Sequence, residues 1–277
     1  MSKTLFIIFS FWFTLPVFSQ FKDKNFFSHK NDKEIIESVL DSLKNPKSLE
    51  SLFLESNIGN YKSLGFNYKI YSSVIYKKNL VITCDFLYLK DSLISYVLKP
   101  KLPNSERLQK KHLKFYNNTF EVTEDNNTIK PLFYNYETFY KPLKYYKGKR
   151  ISNPEIDHFM STESGLYYGE VVGIYAVPIE NWKLLLDLED QLTSDVILQL
   201  LYSKNPVSRL NTIKYYYLNS EKFTDKRDEI ENTINWTSLR GDTLINSVYG
   251  CFSEHSYLRN IAKQLEENYI KQKTSHD

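Results

Sequence analysis

Glycine is scarce in this chain, with 8 in 277 residues, and cysteine is scarcer, with 2. The motifs built on those residues are missing too. There is no Gly-Lys-Ser/Thr phosphate loop, no dinucleotide fingerprint and no Cys-x-x-Cys pair. No His-Glu-x-x-His zinc helix or EF-hand loop occurs either, and Ser164, in TESGL, lacks the first glycine of the Gly-x-Ser-x-Gly elbow. No motif implies a cofactor or a metal. A charge excess is also lacking: 36 basic residues face 33 acidic ones, and this balance gives no reason to expect a nucleic-acid partner.

Long apolar runs are lacking as well, with one exception at the start. MSKTLFIIFSFWFTLPVFSQ carries a single charge, Lys3, followed by an apolar run from Leu5 to Phe18. The run falls short of the roughly 20 residues of a membrane helix and has the profile of a secretory signal. Val17 and Ser19 suit the −3 and −1 positions of a signal peptidase, so cleavage is expected before Gln20, with an uncleaved anchor as the alternative. No cysteine lies nearby to carry a lipid. Cleavage leaves 258 residues (277 less 19) and lowers the net charge from +3 to +2. The best later run, VVGIYAV at 171–177, is strand-sized, so no membrane span is expected after cleavage. The expected product is a soluble exported protein, periplasmic or extracellular.

What is abundant is apolar and aromatic. Hydrophobic residues make up 42% and charged residues 25%, which predicts a folded core. The 22 tyrosines are in keeping with an AT-rich genome, which also favours Lys, Asn, Ile and Phe. In an oxidising compartment Cys84 and Cys251 either form a disulfide joining the two halves or stay as separate thiols.

The patterning predicts an α+β fold: an antiparallel β-meander with flanking helices, followed by a mainly α-helical C-terminal part. Ile35, Ile36, Val39, Leu40 and Leu43 recur at helical spacing up to Asn45-Pro46, and Leu49, Leu52 and Phe53 suggest a second short helix. Period-two segments at 65–76, 79–89 and 92–98 predict a three-stranded meander. Leu80, Ile82, Cys84, Phe86 and Tyr88 share one face, which places Cys84 in the core. A polar helix over 105–116 and a hairpin over 119–134 are expected next. The break at 147–157 divides an α+β region, 20–150, from 151–277, where a short β segment around Gly165, Gly169 and Gly173 precedes helices.

LLYSKNPVSRLNTIKYYY, residues 200–217, resembles the corner of a HEAT-type helical repeat. Asn205 suits a helix cap and Pro206 its first position. The other KNPxS corner, at 44–48, lies 160 residues upstream (204 less 44), so no stacked array is expected. The resemblance covers one hairpin and identifies no family. A last helix is expected from about Ser256, with Leu258, Ile261, Ala262, Leu265 and Tyr269 on one side.

Three clusters bear chemistry. NPEIDHF brings Glu155, Asp157 and His158 together. CFSEHSY does the same for Cys251, Glu254 and His255. If the two meet, they supply metal ligands or a Cys–His nucleophile pair for a hydrolase or metal-dependent enzyme. The third is FYNYETFYKPLKYYKGKR, 133–150, where seven aromatic residues interleave with five basic ones against one acid. Tyr140, Lys144, Tyr145 and Tyr146 are its candidate binding residues, since rings and cations stack on sugars or receive an acidic partner. The competing reading is strand aromatics facing the core with lysine stems covering apolar surface. The expectation placed first is a non-enzymatic binding protein for a protein or glycan partner. The alternatives are the enzyme and a structural, envelope-associated protein.

Overall fold

The structure, a computed structural model, describes residues 59–77, 80–90, 92–102, 105–119, 139–240 and 243–275, together with helical positions 34, 35, 37, 38 and 41. The leader, the short helix at 49–53 and all but the first residue of the hairpin at 119–134 lie outside the described residues.

The first body is an antiparallel sheet in the order β1 (Gly59–Gly65), β2 (Tyr68–Lys77), β3 (Leu80–Leu89) and β4 (Ser92–Pro100), followed by helix α1 (Glu106–Thr119). The meander therefore has four strands rather than three. The segment read as one strand from Gly65 is broken by a two-residue turn at Phe66 and Asn67, both with positive φ (53° and 66°). Two consecutive left-handed residues match the twist of a tight hairpin, and asparagine tolerates that region readily. Ile82, Cys84 and Phe86 are buried on one face of β3, as their spacing predicts. The other face, with Ile70, Leu87 and Val97, packs with Leu64, Tyr68, Phe139 and Leu143.

The bridge between the two cysteines is not formed. Cys84 is buried mid-strand, its thiol directed at the Ile82 carbonyl oxygen at 3.6 Å, whereas Cys251 is exposed at a hairpin turn. One half-cystine would have to leave the sheet interior for the bond to close.

Beyond residue 150 the chain is mostly helical: α2 (Pro154–Met160), α3 (Glu180–Asp187), α4 (Ser194–Leu201), α5 (Pro206–Leu218), α6 (Arg227–Arg240) and α7 (Leu258–Thr274). Between α2 and α3 run three two-residue strands, β5 (Tyr167–Tyr168), β6 (Val171–Val172) and β7 (Val177–Pro178). A hairpin of β8 (Leu244–Tyr249) and β9 (Phe252–Tyr257) precedes α7, which begins at Leu258 rather than Ser256, and β5 joins β8 in parallel.

The core is centred on α4 and α5. Val196, Ile197, Leu200, Leu201, Val207, Leu210 and Ile213 are buried against Phe159, Leu185, Ile230 and Leu258. Asn205 caps α5 as expected: its Oδ1 accepts from Val207 N at 2.9 Å, and Pro206 occupies the first turn.

That corner also holds a buried polar network. Asn205 Nδ2 donates to Ser161 O, Ser164 Oγ and Gly165 O at 2.8–3.0 Å. Asn181 Nδ2 donates to Ser164 Oγ and Ser208 Oγ, and Asn211 Nδ2 donates to Asn181 Oδ1. These bonds satisfy groups that would otherwise be costly to bury, and they fix the 161–165 turn against α5.

Candidate functional site

The segment 139–153 packs on the sheet through Phe139 and Leu143 and crosses the α4–α5 corner with no regular hydrogen-bonding pattern of its own. Side chains and single backbone bonds hold it. Leu143 N donates to Tyr202 O at 2.7 Å, and Gln199 clamps both backbone groups of Ile151, at 2.7 and 2.8 Å. Lys204, buried at the corner, donates to the Lys141 carbonyl oxygen.

This strapping divides the four candidate binding residues. Phe139 and Leu143 enter the core, and Tyr140 lies half-buried with Arg150 5.6 Å from its ring centre. Tyr145 is exposed, Lys144 stands 5.3 Å over its ring, and Tyr146 is half-buried with its hydroxyl on Lys149 O at 3.3 Å. Burial, then Asp195, pushes the Tyr146 phenol up, so it stays a neutral donor. Phe133, Tyr134 and Tyr136 lie outside the described residues.

Tyr145 and Tyr146 meet aromatics from three other elements. Tyr145 packs edge-to-face on Trp236 of α6 at 5.0 Å, and Phe66 of the β1–β2 turn stacks on Trp236 at 5.3 Å. Tyr202 lies 5.6 Å from Trp236 and 5.5 Å from Tyr146. The result is a continuous row, Phe66–Tyr145–Trp236–Tyr202–Tyr146, partly open to solvent. Arg240 covers the Trp236 ring at 5.1 Å, so Lys144 and Arg240 place positive charge over Tyr145 and Trp236. Lys226, paired with Asp195, lies near Tyr146, with Glu229 beside it. Phe66, Tyr202 and Trp236 were not marked by the sequence, because a single aromatic in a turn or a weakly amphipathic helix carries no local signal.

The two histidine-bearing clusters have other occupations. In α2, Asp157 takes both oxygens to Arg150 at 3.0 Å, and Glu155 accepts from Gln191 at 2.9 Å. His158 is half-buried, and its carbonyl oxygen accepts from the Ser161 hydroxyl. Cys251, Glu254 and His255 are exposed on the β8–β9 hairpin, where His255 pairs with Asn246. Among the described residues, no three His, Cys, Asp or Glu side chains are grouped to hold a metal ion.

No family model, curated protein or solved structure matches this chain. The reading of its sites therefore rests on its own geometry. Among the described residues, no helix is long and apolar enough to cross a membrane.

Proposed function

We propose that this chain is an exported, non-enzymatic binding protein and that the Phe66–Tyr146 aromatic row takes an acidic glycan. The observation that carries the reading is the 5.0 Å contact of Tyr145 with Trp236 beneath Lys144 and Arg240. It draws Tyr145 and Tyr146 into an aromatic platform with cations over two of its rings. Sugar rings stack on aromatic faces, and carboxylate or sulfate groups pair with the flanking cations. Export rests on the leader alone.

Trp236 is a built-in reporter. Titrating the mature protein with heparin-derived octasaccharide and with oligogalacturonate should quench tryptophan emission, and the affinity should fall as salt is raised. The double variant Lys144→Ala/Tyr145→Ala should lose at least tenfold in affinity while remaining folded. Unchanged affinity in that variant, or no response to any acidic oligosaccharide, refutes the reading.

A second reading, attachment to an envelope surface, is supported by two neighbouring hairpin tips. Ile174 and Tyr175 of the β6–β7 hairpin are 87% and 92% exposed, Phe252 of the β8–β9 hairpin is 81% exposed, and Val172 bridges Gly250 between them. Co-sedimentation with phosphatidylcholine vesicles that is abolished by Tyr175→Ser/Phe252→Ser supports this reading. A protein that stays in the supernatant refutes it.

A further inference from the structure

Residues of α5, α7 and the β5–β8 pair line a cavity of about 560 Å³. That volume falls within the roughly 300–1,000 Å³ range of small-ligand sites. Its position comes from a close backbone approach. Gly169, at φ 147°, follows β5 directly, and a Cβ there would strike the Val248 carbonyl oxygen. Only glycine lets this turn lie flat against β8 and open the space beside it.

The walls differ in chemistry. Helix α7 contributes two parallel rows, Ile261–Leu265–Tyr269 and Gln264–Asn268–Gln272, each at four-residue spacing, and both line the cavity. Tyr269 stacks on Tyr217 of α5, with ring centres 5.1 Å apart and planes 27° apart, and shares a 2.9 Å hydrogen bond with the Ser220 hydroxyl. Burial and the nearby Glu266 and Glu231 push the Tyr217 phenol up, so it keeps its proton at all physiological pH values. Among the described residues that line it, the charged ones are Lys214 and Glu170, which form an ion pair, and Lys273 stands 6.0 Å over the Tyr269 ring.

Three primary amides offer donors and acceptors together, two stacked phenols offer ring surface, and the two charged lining residues balance each other. We propose that this cavity binds a neutral saccharide of one or two pyranose units, at a site separate from the acidic-glycan platform. The amides match a ring of hydroxyls, each of which both donates and accepts. The tyrosines match the C–H face of the sugar. An apolar ligand would strand the three amides and the ion pair away from water with no partner to replace it. An anion or cation would have to break the Lys214–Glu170 pair.

Saturation-transfer NMR on the mature protein, with glucose, cellobiose and N,N′-diacetylchitobiose as probes, tests this directly. At least one probe should receive saturation, and Gln264→Ala/Asn268→Ala should weaken its binding tenfold or more. These amides are exposed on α7, so the variant should fold, as checked by an unchanged urea midpoint. Lys144→Ala/Tyr145→Ala should leave this signal intact, which separates a failure here from a failure of the platform. No transfer to any of the three sugars overturns the proposal. So does a signal that survives Gln264→Ala/Asn268→Ala, or an anionic sugar acid that outcompetes its neutral parent in the cavity.

Discussion

Arg209 donates from Nη2 to the Leu64 carbonyl oxygen at 2.9 Å, so a fully buried cation in α5 grips the edge strand β1 across 145 residues of sequence. Its other terminal nitrogen bonds Ser203 O at 2.6 Å and Lys204 O at 3.3 Å, and its plane lies 5.2 Å from the Phe66 ring. Among the described residues it makes no ion pair; carbonyl dipoles and a ring face carry the compensation. Burial pushes the guanidinium down to about 9, so it is still charged at neutral pH. This one side chain links the sheet, the helical corner and the aromatic row.

Arg209→Met should therefore destabilise the protein by about 3 kcal/mol. Three buried carbonyls lose charged donors, each worth roughly 1.5–3 kcal/mol, and relief of the buried charge offsets part of that loss. Urea unfolding should show a lower midpoint. Loosening of Phe66 should also alter Trp236 emission before the main transition. A variant as stable as the parent would mean the grip contributes nothing.

Asn205 is more than a cap. At an isolated N-cap, aspartate serves about as well as asparagine. Here Asn205 Nδ2 faces three buried oxygens, so Asn205→Asp should place a carboxylate against them. We expect Asn205→Asp to lose more stability than Asn205→Ala, by about 1 kcal/mol or more, in thermal melts at pH 7. Equal melting of Asn205→Asp and the parent would reduce the network to a simple cap.

Burial, followed by Lys141 and Arg150, pushes the Lys204 amine down to about 7 from its ordinary 10.5. Between those values the unfolded chain holds more protons than the folded one, so stability should rise with pH across this window. Below about pH 7 the full cost is present. Lys204→Met should raise the urea midpoint at pH 6, change it little at pH 10, and flatten the slope between. A pH-independent effect of the substitution would show that Lys204 titrates normally.

The two thiols should react very differently. Cys251 is exposed, whereas Cys84 is buried and desolvation pushes its thiol far up, so it has almost no thiolate. Iodoacetamide followed by mass spectrometry should add one label to the native protein, at Cys251, and two in urea. No label in either state would indicate a disulfide and contradict the structure.

Much of the fold is legible in the chain because it rests on local rules. The alternation in β3 marks Ile82, Cys84 and Phe86 as buried, and Asn205-Pro206 marks the start of α5, since strand faces and helix caps are set by residues a few positions apart. The turn at Phe66-Asn67 was hidden because β-rich sequence flanks it and phenylalanine rarely adopts positive φ. The hairpin of β8 and β9 was hidden because most of its β9 side chains face water and show no alternation.

The candidate sites divide in the same way. The sequence alone marked Tyr145 and Tyr146 as an aromatic, basic stretch, and it set the α+β order of elements through hydrophobic periodicity. Only the tertiary structure decided that Trp236, Tyr202 and Phe66 join those tyrosines while Tyr140 packs against the core. It also decided that Asp157 goes to Arg150 rather than to a shared site with His158, and that Cys84 and Cys251 stay apart. The reason is physical: caps and periodicity act over a few residues along the chain, whereas ring stacking, ion pairing and disulfide closure depend on distances through space that packing alone sets.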